Sequence, residues 1–348
     1  MAPPDRRALR FPPAHGGPVG DAWLRSTPDD FRVDEELGFE PCGEGEHVWL
    51  WVRKRGANTE DVARAVAALA GVRRRAVGCS GMKDRHADTG QWFSVHLPGL
   101  DEPDWSRLDP AVGRVQTALR HTRKLRTGSH RANRFVLRLR GVTAERAATD
   151  ERLAAVRSAG FPNYFGPQRF GHGGENLHRA RRQLAGAGTG RVRGIQLSAA
   201  RAWLFNRVLA ARVGAGCWVQ PLAGDALMLA GTHSVFEYRG DEADVAARLA
   251  ALDLHVTGPL WGSGRQPLSA AASARERAWL SEEESLCAGL ERVGVQARRR
   301  ALRAVAHDLT WAWDGNDLEL RVTLGRGVFA TSLLDEVLVA YDATRANE

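Results

Sequence analysis

An aspartate displayed between two cations is the pattern in this chain with the clearest chemical use. Asp84 lies between Lys83 and Arg85 in the run Gly81-Met82-Lys83-Asp84-Arg85-His86-Ala87-Asp88-Thr89-Gly90-Gln91, and Trp92-Phe93-Ser94-Val95 follows at once as a strand-like segment. A glycine-opened turn ahead of a rigid strand presents a carboxylate to a substrate while fixing its position. Such a group can serve as nucleophile or general base with no redox partner. On local chemistry alone the bland alternative is stronger, because an Asp flanked by Lys and Arg is more often a solvated turn. The rest of the chain shifts that balance.

The elements that must hold this loop are legible around it. Phe31–Val33 and His47–Arg53 have strand character, the latter alternating Val48, Leu50 and Val52 with Trp49, Trp51 and Arg53. Asn58 or Thr59 caps a helix whose first turn carries Glu60 and Asp61, whose apolar positions are Val62, Val66 and Leu69, and which stops at Gly71. A short run, Ala76–Ser80, enters the Asp84 loop, and Gln91–Leu97 leaves it as a strand. Phe135–Arg140 reads as a further strand, and Glu145 to about Ala159 as a helix. Two prolines and two glycines break the chain at Gly160–Pro167, a boundary signal. Mostly helical material follows, including Ser198–Val213, Ser281–Gly294 and Val295–Ala306, with a loop at Pro259–Gly264. The last forty residues hold a strand, Leu318–Leu324, and a helix from Ser332 to Tyr341. One strand and one helix cannot bury a core alone, so they are expected to complete the sheet begun in the first 155 residues. The domains expected are therefore residues 1–158 with 307–348, discontinuous, and an insertion of 159–306.

At 348 residues two domains are the prior, and 43% hydrophobic with 26% charged residues is the composition of a globular protein. The 49 basic residues against 41 acidic ones leave +8, which favours a polyanionic partner, nucleic acid before membrane. Only Lys54, Lys83 and Lys124 are lysines, so a lysine beside Asp84 is notable. Cys42, Cys79, Cys217 and Cys287 lie far apart without C-x-x-C spacing, pointing to free thiols in a reducing compartment. The proline- and arginine-rich stretch Met1–Gly20 has no apolar signal core, and no run approaches the roughly 18 apolar residues of a membrane span. A cytoplasmic protein is expected.

Eliminations narrow the chemistry. No lysine follows a glycine, so there is no phosphate-binding loop, and the glycine clusters at Gly171–Gly174 and Gly262–Gly264 lack Rossmann spacing. Neither H-E-x-x-H, nor a zinc deaminase pair, nor a G-x-S-x-G elbow occurs. What remains are arginine clusters interleaved with glycine, asparagine and aromatics: Arg120–Arg126, Arg131–Arg134, and Arg179–Arg182 with Arg191 and Arg193. Guanidiniums suit phosphate oxygens and aromatic faces suit unstacked bases, although any single cluster is as well read as a solvated face. The aromatic segment Phe161–Phe170 is, taken alone, better read as core at a domain boundary.

The residues Gly81–Ala87 with Thr89 and Gln91 resemble the signature of the TruD family of tRNA pseudouridine synthases. Further blocks follow in family order: Asp30–Val33, Gly43–His47, Asn58-Thr59, Lys124–Arg126, Asn163–Gly171, Ser198–Arg201 with Leu204–Asn206, and Phe329–Ser332. The likeness runs from about residue 20 to 340. It implies an α/β catalytic domain with an antiparallel-rich mixed sheet, interrupted by an α/β insertion, with a cleft between them. It implies isomerisation of uridine to pseudouridine in tRNA, at position thirteen of the D-arm, with no metal or organic cofactor. Separately, no membrane and no obligate protein partner are expected, and a monomer is. By the same resemblance Asp84 would be the catalytic residue and Arg25 would hold it ionised through a charge-assisted hydrogen bond. Phe31 would stack on the target base, Asn133 would read its polar edge and Phe329 would close the pocket. Lys83, Lys124, Arg126 and Arg169 are candidate RNA contacts.

Two features depart from the family pattern. Asp88 stands where an apolar residue is common; it is expected to point to solvent or to pair with Arg85, since its charge facing Asp84 would disfavour the carboxylate. The linker Gly128–Ala132 is unusually basic. Three rival readings stand beside the main one. They are the same chemistry on another RNA, a non-catalytic tRNA-binding or folding module, and a nuclease with Asp34, Glu35 and Glu36 as metal ligands.

Overall fold

The computed structural model describes residues 11–186, 192, 194–240 and 242–346. The chain forms two compact units, each built from separated segments: Gly20–Glu145, Ala306–Gly327 and Val339–Glu348 in one, Met1–Val19, Arg146–Val305 and Val328–Leu338 in the other.

The first unit is an eight-stranded sheet. Its strands run in the order Ala306–Asp314, Asp317–Gly325, Ala132–Leu139, Phe31–Glu36, Asp88–His96, His47–Lys54 and Arg114–His121, with Val77–Cys79 also paired to Asp88–His96. Neighbours are antiparallel except Phe31–Glu36 against Asp88–His96, which run parallel. The helix Thr59–Leu69 lays Val62, Ala63, Val66 and Ala67 on Val48, Leu50, Val52, Phe93 and Val95, the apolar stripes that the alternation and the helical spacing predict. Asn58 is its N-cap, sharing a capping box with Asp61, and Gly71 takes a positive φ of 64° just past its end. The expected strand near the C-terminus does complete this sheet, Leu318 to Gly325 pairing with Leu139 to Ala132.

In the second unit Val235–Glu237, Ala226–Leu229, Leu254–Leu260 and Arg298–Ala301 make an antiparallel sheet. The 21-residue helix Gly194–Gly214 packs on it through Phe205 and Leu209 against Leu227, Leu254, Val256 and Leu302. From Phe11 on, the segment before Gly20 is tied to this unit because Phe11 stacks on Tyr164, Tyr164 Oη donates to Pro12 O at 3.0 Å, and the buried Glu336 carboxylate accepts from the backbone of Ala14 and His15.

Three expectations change. The division falls at Glu145/Arg146 rather than 158/159, because the helix Arg146–Ala159 packs on the helix Ala330–Val337 within the second unit. Val295–Ala306 is not a helix. Its arginine- and alanine-rich composition favours one by propensity, but Arg298–Ala301 extends to pair with Leu254–Leu260 and buries Arg299 on Glu276. The helix expected from Ser332 to Tyr341 ends at Val337, and Val339–Asp342 instead pairs in parallel with Asp21–Leu24. The four cysteines are unpaired thiols.

Candidate active site

Five ties hold the Asp84 loop from beneath. The strand His47–Lys54 ends with Lys54 on the same face as Val48, Leu50 and Val52, so its side chain runs under the loop, 1% exposed. Its ammonium donates to Ala57 O at 2.9 Å and to Asp84 O at 3.0 Å. Thr59, first residue of the helix, accepts from Lys83 N at 2.9 Å and donates to Gln91 Oε1 at 3.0 Å. Gln91 in turn donates to Gly81 O at 2.6 Å. Arg85 completes the set, accepting from Gly56 N at 3.1 Å and donating to Gly56 O at 2.9 Å. A strand end, a helix start and the next strand thus share the task of fixing one loop, the arrangement a positioned reactive group requires.

Asp84 itself stays accessible, its side chain 38% exposed. Oδ1 accepts from His86 N at 3.0 Å, and Oδ2 lies 2.8 Å from Arg25 Nη2. Arg25 follows the strand Asp21–Leu24 in the left-handed region, φ 60°, a conformation that costs a non-glycine residue and here aims the guanidinium inward. Its Nη1 donates to Asp342 Oδ2 at 2.7 Å, and its Cζ sits 4.0 Å over the Phe31 ring. Burial pushes the Asp342 carboxyl up, but hydrogen bonds from Thr344 and the Arg25 charge outweigh it and hold the group below its usual range. Arg25 is therefore bound between two carboxylates above an aromatic ring.

The second layer is polar and buried. Glu35 and Asn133 are register partners across the antiparallel strands Phe31–Glu36 and Ala132–Leu139. Between them Lys83 Nζ lies 3.0 Å from Glu35 Oε1 and donates to Asn133 Oδ1. Glu35 also accepts from Trp92 N at 3.1 Å, and Asn133 Nδ2 is 3.4 Å from His130 Nε2. Burial holds the His130 imidazole below its usual pKa, favouring the neutral ring that can accept there.

Among the residues singled out from sequence, Arg25, Phe31, Lys83, Asp84 and Asn133 gather here through these contacts. Phe31 is buried, edge-on to Phe135 at 6.1 Å. Phe329 belongs to the second unit, where it precedes the helix Ala330–Val337 and its ring lies 6.2 Å from Phe165. Arg169 lies in that unit too, donating to Ser198 Oγ at 3.1 Å. Lys124 is spent on Arg75 O at 2.5 Å, while Arg126 is exposed. Arg191 and Arg193 fall outside the described residues. The expectation for Asp88 is corrected. Its carboxylate is buried, with Arg53 Nε at 2.5 Å and Arg55 Nη2 at 2.9 Å, and strand alternation sends it to the face opposite Gln91. Asp34, Glu35 and Glu36 are each taken by a cation, Arg53, Lys83 and Arg134, and strand alternation splits them between two faces, which disfavours a shared metal. Among the described residues no cluster of three or more His, Cys, Asp or Glu side chains is placed for a metal ion, and no helix is long and apolar enough to cross a membrane.

Sequence reasoning named Lys54, Thr59 and Gln91 but gave them no part in holding the Asp84 loop. Lys54 carried a signal: a lysine at the apolar parity of an alternating strand must either break the pattern or find partners inside.

A sequence model of the family described as tRNA pseudouridine synthase D (TruD) matches residues 16–187 and 189–337. A Pseudomonas aeruginosa protein named tRNA pseudouridine synthase D is 47% identical over 335 residues, covering 95% of this chain and 94% of its own. A Methylococcus capsulatus protein of the same name is 46% identical over 337 residues, covering 95% of each. A Methanosarcina mazei chain, solved under that name, superposes with a TM-score of 0.73 at 17% identity, covering 93% of this chain and 95% of its own, a likeness of fold. With its Asp84 loop built as above and the match extending over nearly its whole length, this chain belongs to the tRNA pseudouridine synthase D family.

Proposed function

We propose that this protein isomerises uridine to pseudouridine in tRNA, at position thirteen in the D-arm, with Asp84 as nucleophile. The observation that carries the reading is an accessible carboxylate bonded to Arg25, on a loop whose backbone is fixed at Gly81, Lys83, Asp84 and Arg85.

A uridine inside a helix offers neither its C1′ nor its C5, so the nucleotide is flipped out at a cost of a few kcal/mol. Asp84 attacks C1′ and the N1–C1′ bond breaks, leaving the sugar on the carboxylate and uracil free to turn. C5 then bonds to C1′ as the carboxylate departs, C5 loses its proton and N1 gains one, so the product is an isomer. Arg25 follows the charge on Asp84 through both steps without moving, since Asp342 and the Phe31 ring hold it. Asn133 meets the polar edge of the base, while the roles of Phe31 and Phe329 as rings against the base rest on the resemblance. The excess of basic residues, +8 overall, supports a polyanionic substrate, and four free thiols suit a reducing, cytoplasmic setting for a monomeric enzyme.

The test is turnover of a unmodified tRNA transcript by wild type and Asp84→Asn, with pseudouridine located by chemical labelling at nucleotide resolution. Product from wild type alone, at one D-arm uridine, is expected, with the variant slower by on the order of 10³ or more. Product from Asp84→Asn removes Asp84 from its role, and tight binding without product in wild type makes the chain a binding module.

A further inference from the structure

The reaction above leaves Lys83 without a task, although it adjoins the nucleophile. We propose that Lys83, seated on Glu35, locks the Asn133 side-chain amide in one of its two flip states, so that the site accepts uracil and refuses cytosine. This rests on reading the Asp84 loop as the pseudouridine-forming site.

The lock follows from strand register. Glu35 and Asn133 face each other across neighbouring antiparallel strands, so their side chains leave the same face side by side. Lys83 enters between them, 9% exposed, with Nζ 3.0 Å from a Glu35 carboxylate that is wholly buried. The same ammonium reaches the Asn133 amide. An ammonium has only donors, so the amide atom facing it must be the carbonyl oxygen. This chemistry settles an orientation that the shape of an amide leaves open. His130 agrees from the other side, its Nε2 3.4 Å from Asn133 Nδ2. Turning the amide over would set an NH2 against the NH3⁺ and a carbonyl oxygen against the imidazole nitrogen.

The consequence is a fixed order of donor and acceptor. One Nδ2 hydrogen and the second lone pair of Oδ1 have no partner among the described residues. With its C1′ held at Asp84 the base meets Asn133 one way up, and uracil then offers a carbonyl beside the N3 hydrogen, which the locked amide meets with its N–H and its C=O respectively. Cytosine held the same way up has no N3 hydrogen for that C=O, and its amino group beside a bare N3 reverses the order. A free amide would turn over and bind cytosine equally well, whereas a locked one leaves buried polar groups facing their own kind. Lys83 is thus a positioning residue for base choice, and Glu35 supplies the buried counter-charge that keeps it there.

The experiment measures equilibrium binding of two tRNA transcripts, one with cytidine and one with an abasic nucleotide at the target position. The abasic RNA reports fold and binding of the RNA body, and the ratio of the two dissociation constants reports acceptance of the base. Wild type is expected to bind the cytidine RNA no tighter than the abasic one. Lys83→Met combined with Glu35→Gln, which removes both charges together, is expected to bind cytidine about tenfold tighter than abasic, and Lys83→Arg to refuse it as wild type does. A cytidine-to-abasic ratio that stays at one in the double variant, with abasic binding unchanged, overturns the lock, as does wild-type acceptance of cytidine. If abasic binding is lost, Lys83→Gln with Glu35→Gln is read in the same way. Absence of pseudouridine from a uridine transcript with wild type sinks the underlying reading instead.

Discussion

Lys54 shows how a single side chain can carry both a positioning task and a cost. Burial, with the Lys83 charge adding to it and Asp84 and Asp61 opposing, brings its pKa down to about 8. A neutral amine keeps two N–H groups, enough for Ala57 O and Asp84 O, so the clamp on the loop survives deprotonation. Stability does not stay constant. Between about pH 8 and 10.5 the folded protein has given up a proton that the unfolded chain still binds, so stability rises with pH through that window. The penalty is fully present below pH 8, and its removal is worth at most about 3 kcal/mol. Urea unfolding of wild type against Lys54→Met from pH 7 to 10 is expected to show wild type gaining relative to the variant. A pH-independent difference would show that Lys54 does not titrate there. At this scale the chemistry was well marked in the sequence: Asp84, Arg25, Lys83 and Asn133 were all singled out, and all meet. Lys54 was not, because a lysine inside an apolar stripe looks like a strand's frayed end until a second element is seen to cover it.

Asp88 belongs to the scale of elements, because it joins two strand ends. At the start of Asp88–His96 it binds Arg53 and Arg55 at the end of His47–Lys54, and those arginines also reach Asp34 and Asp29. Burial pushes its carboxyl up, but hydrogen bonds from Arg53 and then Arg55 outweigh this and hold it below the usual carboxylate range. Its contribution is therefore present above about pH 4 and lost as pH falls through the depressed value. Asp88→Asn is expected to destabilise by about 1–3 kcal/mol at pH 7, since each arginine retains one carboxylate, and by less at pH 3. The pH–rate profile of the variant is expected to keep its acid limb, because the side chain leaves the face opposite the loop. A large shift of that limb would put Asp88 back beside Asp84. Elements with strong period, such as Thr59–Leu69 and Asp317–Gly325, were readable from residues alone. Val295–Ala306 was not, because arginine and alanine favour a helix locally while Glu276 and Thr257, distant in sequence, draw Arg299 into a sheet.

At the scale of the whole molecule charge is expected to govern the encounter with tRNA. With +8 net and exposed arginines such as Arg126 and Arg134, tRNA affinity is expected to fall on the order of 10²-fold between 50 and 200 mM salt, as four or so phosphate contacts release counterions. Arg126→Ala is expected to weaken binding uniformly across tRNAs and to lower the slope of log affinity against log salt by about one. A slope near zero would mean that shape and stacking, rather than phosphate contacts, supply the affinity. Organisation into units was legible only in outline. The proline–glycine boundary near 160 lies close to the true one, but the chain crosses between units at Glu145/Arg146, and both the segment before Gly20 and Val328–Leu338 join the second unit. Those assignments depend on Glu336 meeting Ala14 and His15, and on Ser332 donating to Tyr164 O at 3.0 Å, contacts between residues far apart in the chain.

The sequence by itself marked Asp84, its loop and the main strands and helices, because each is written in neighbouring residues whose spacing constrains short-range geometry, while the family was marked by the resemblance of blocks spread along the chain. Tertiary structure alone decided that Asp88 turns to Arg53 and Arg55, that Lys54 lies beneath Asp84, and that Glu35 and Asn133 stand opposite each other with Lys83 between. Which buried charge meets which partner is set by strand register and by pairings over long sequence separation, and no local pattern of residues encodes these.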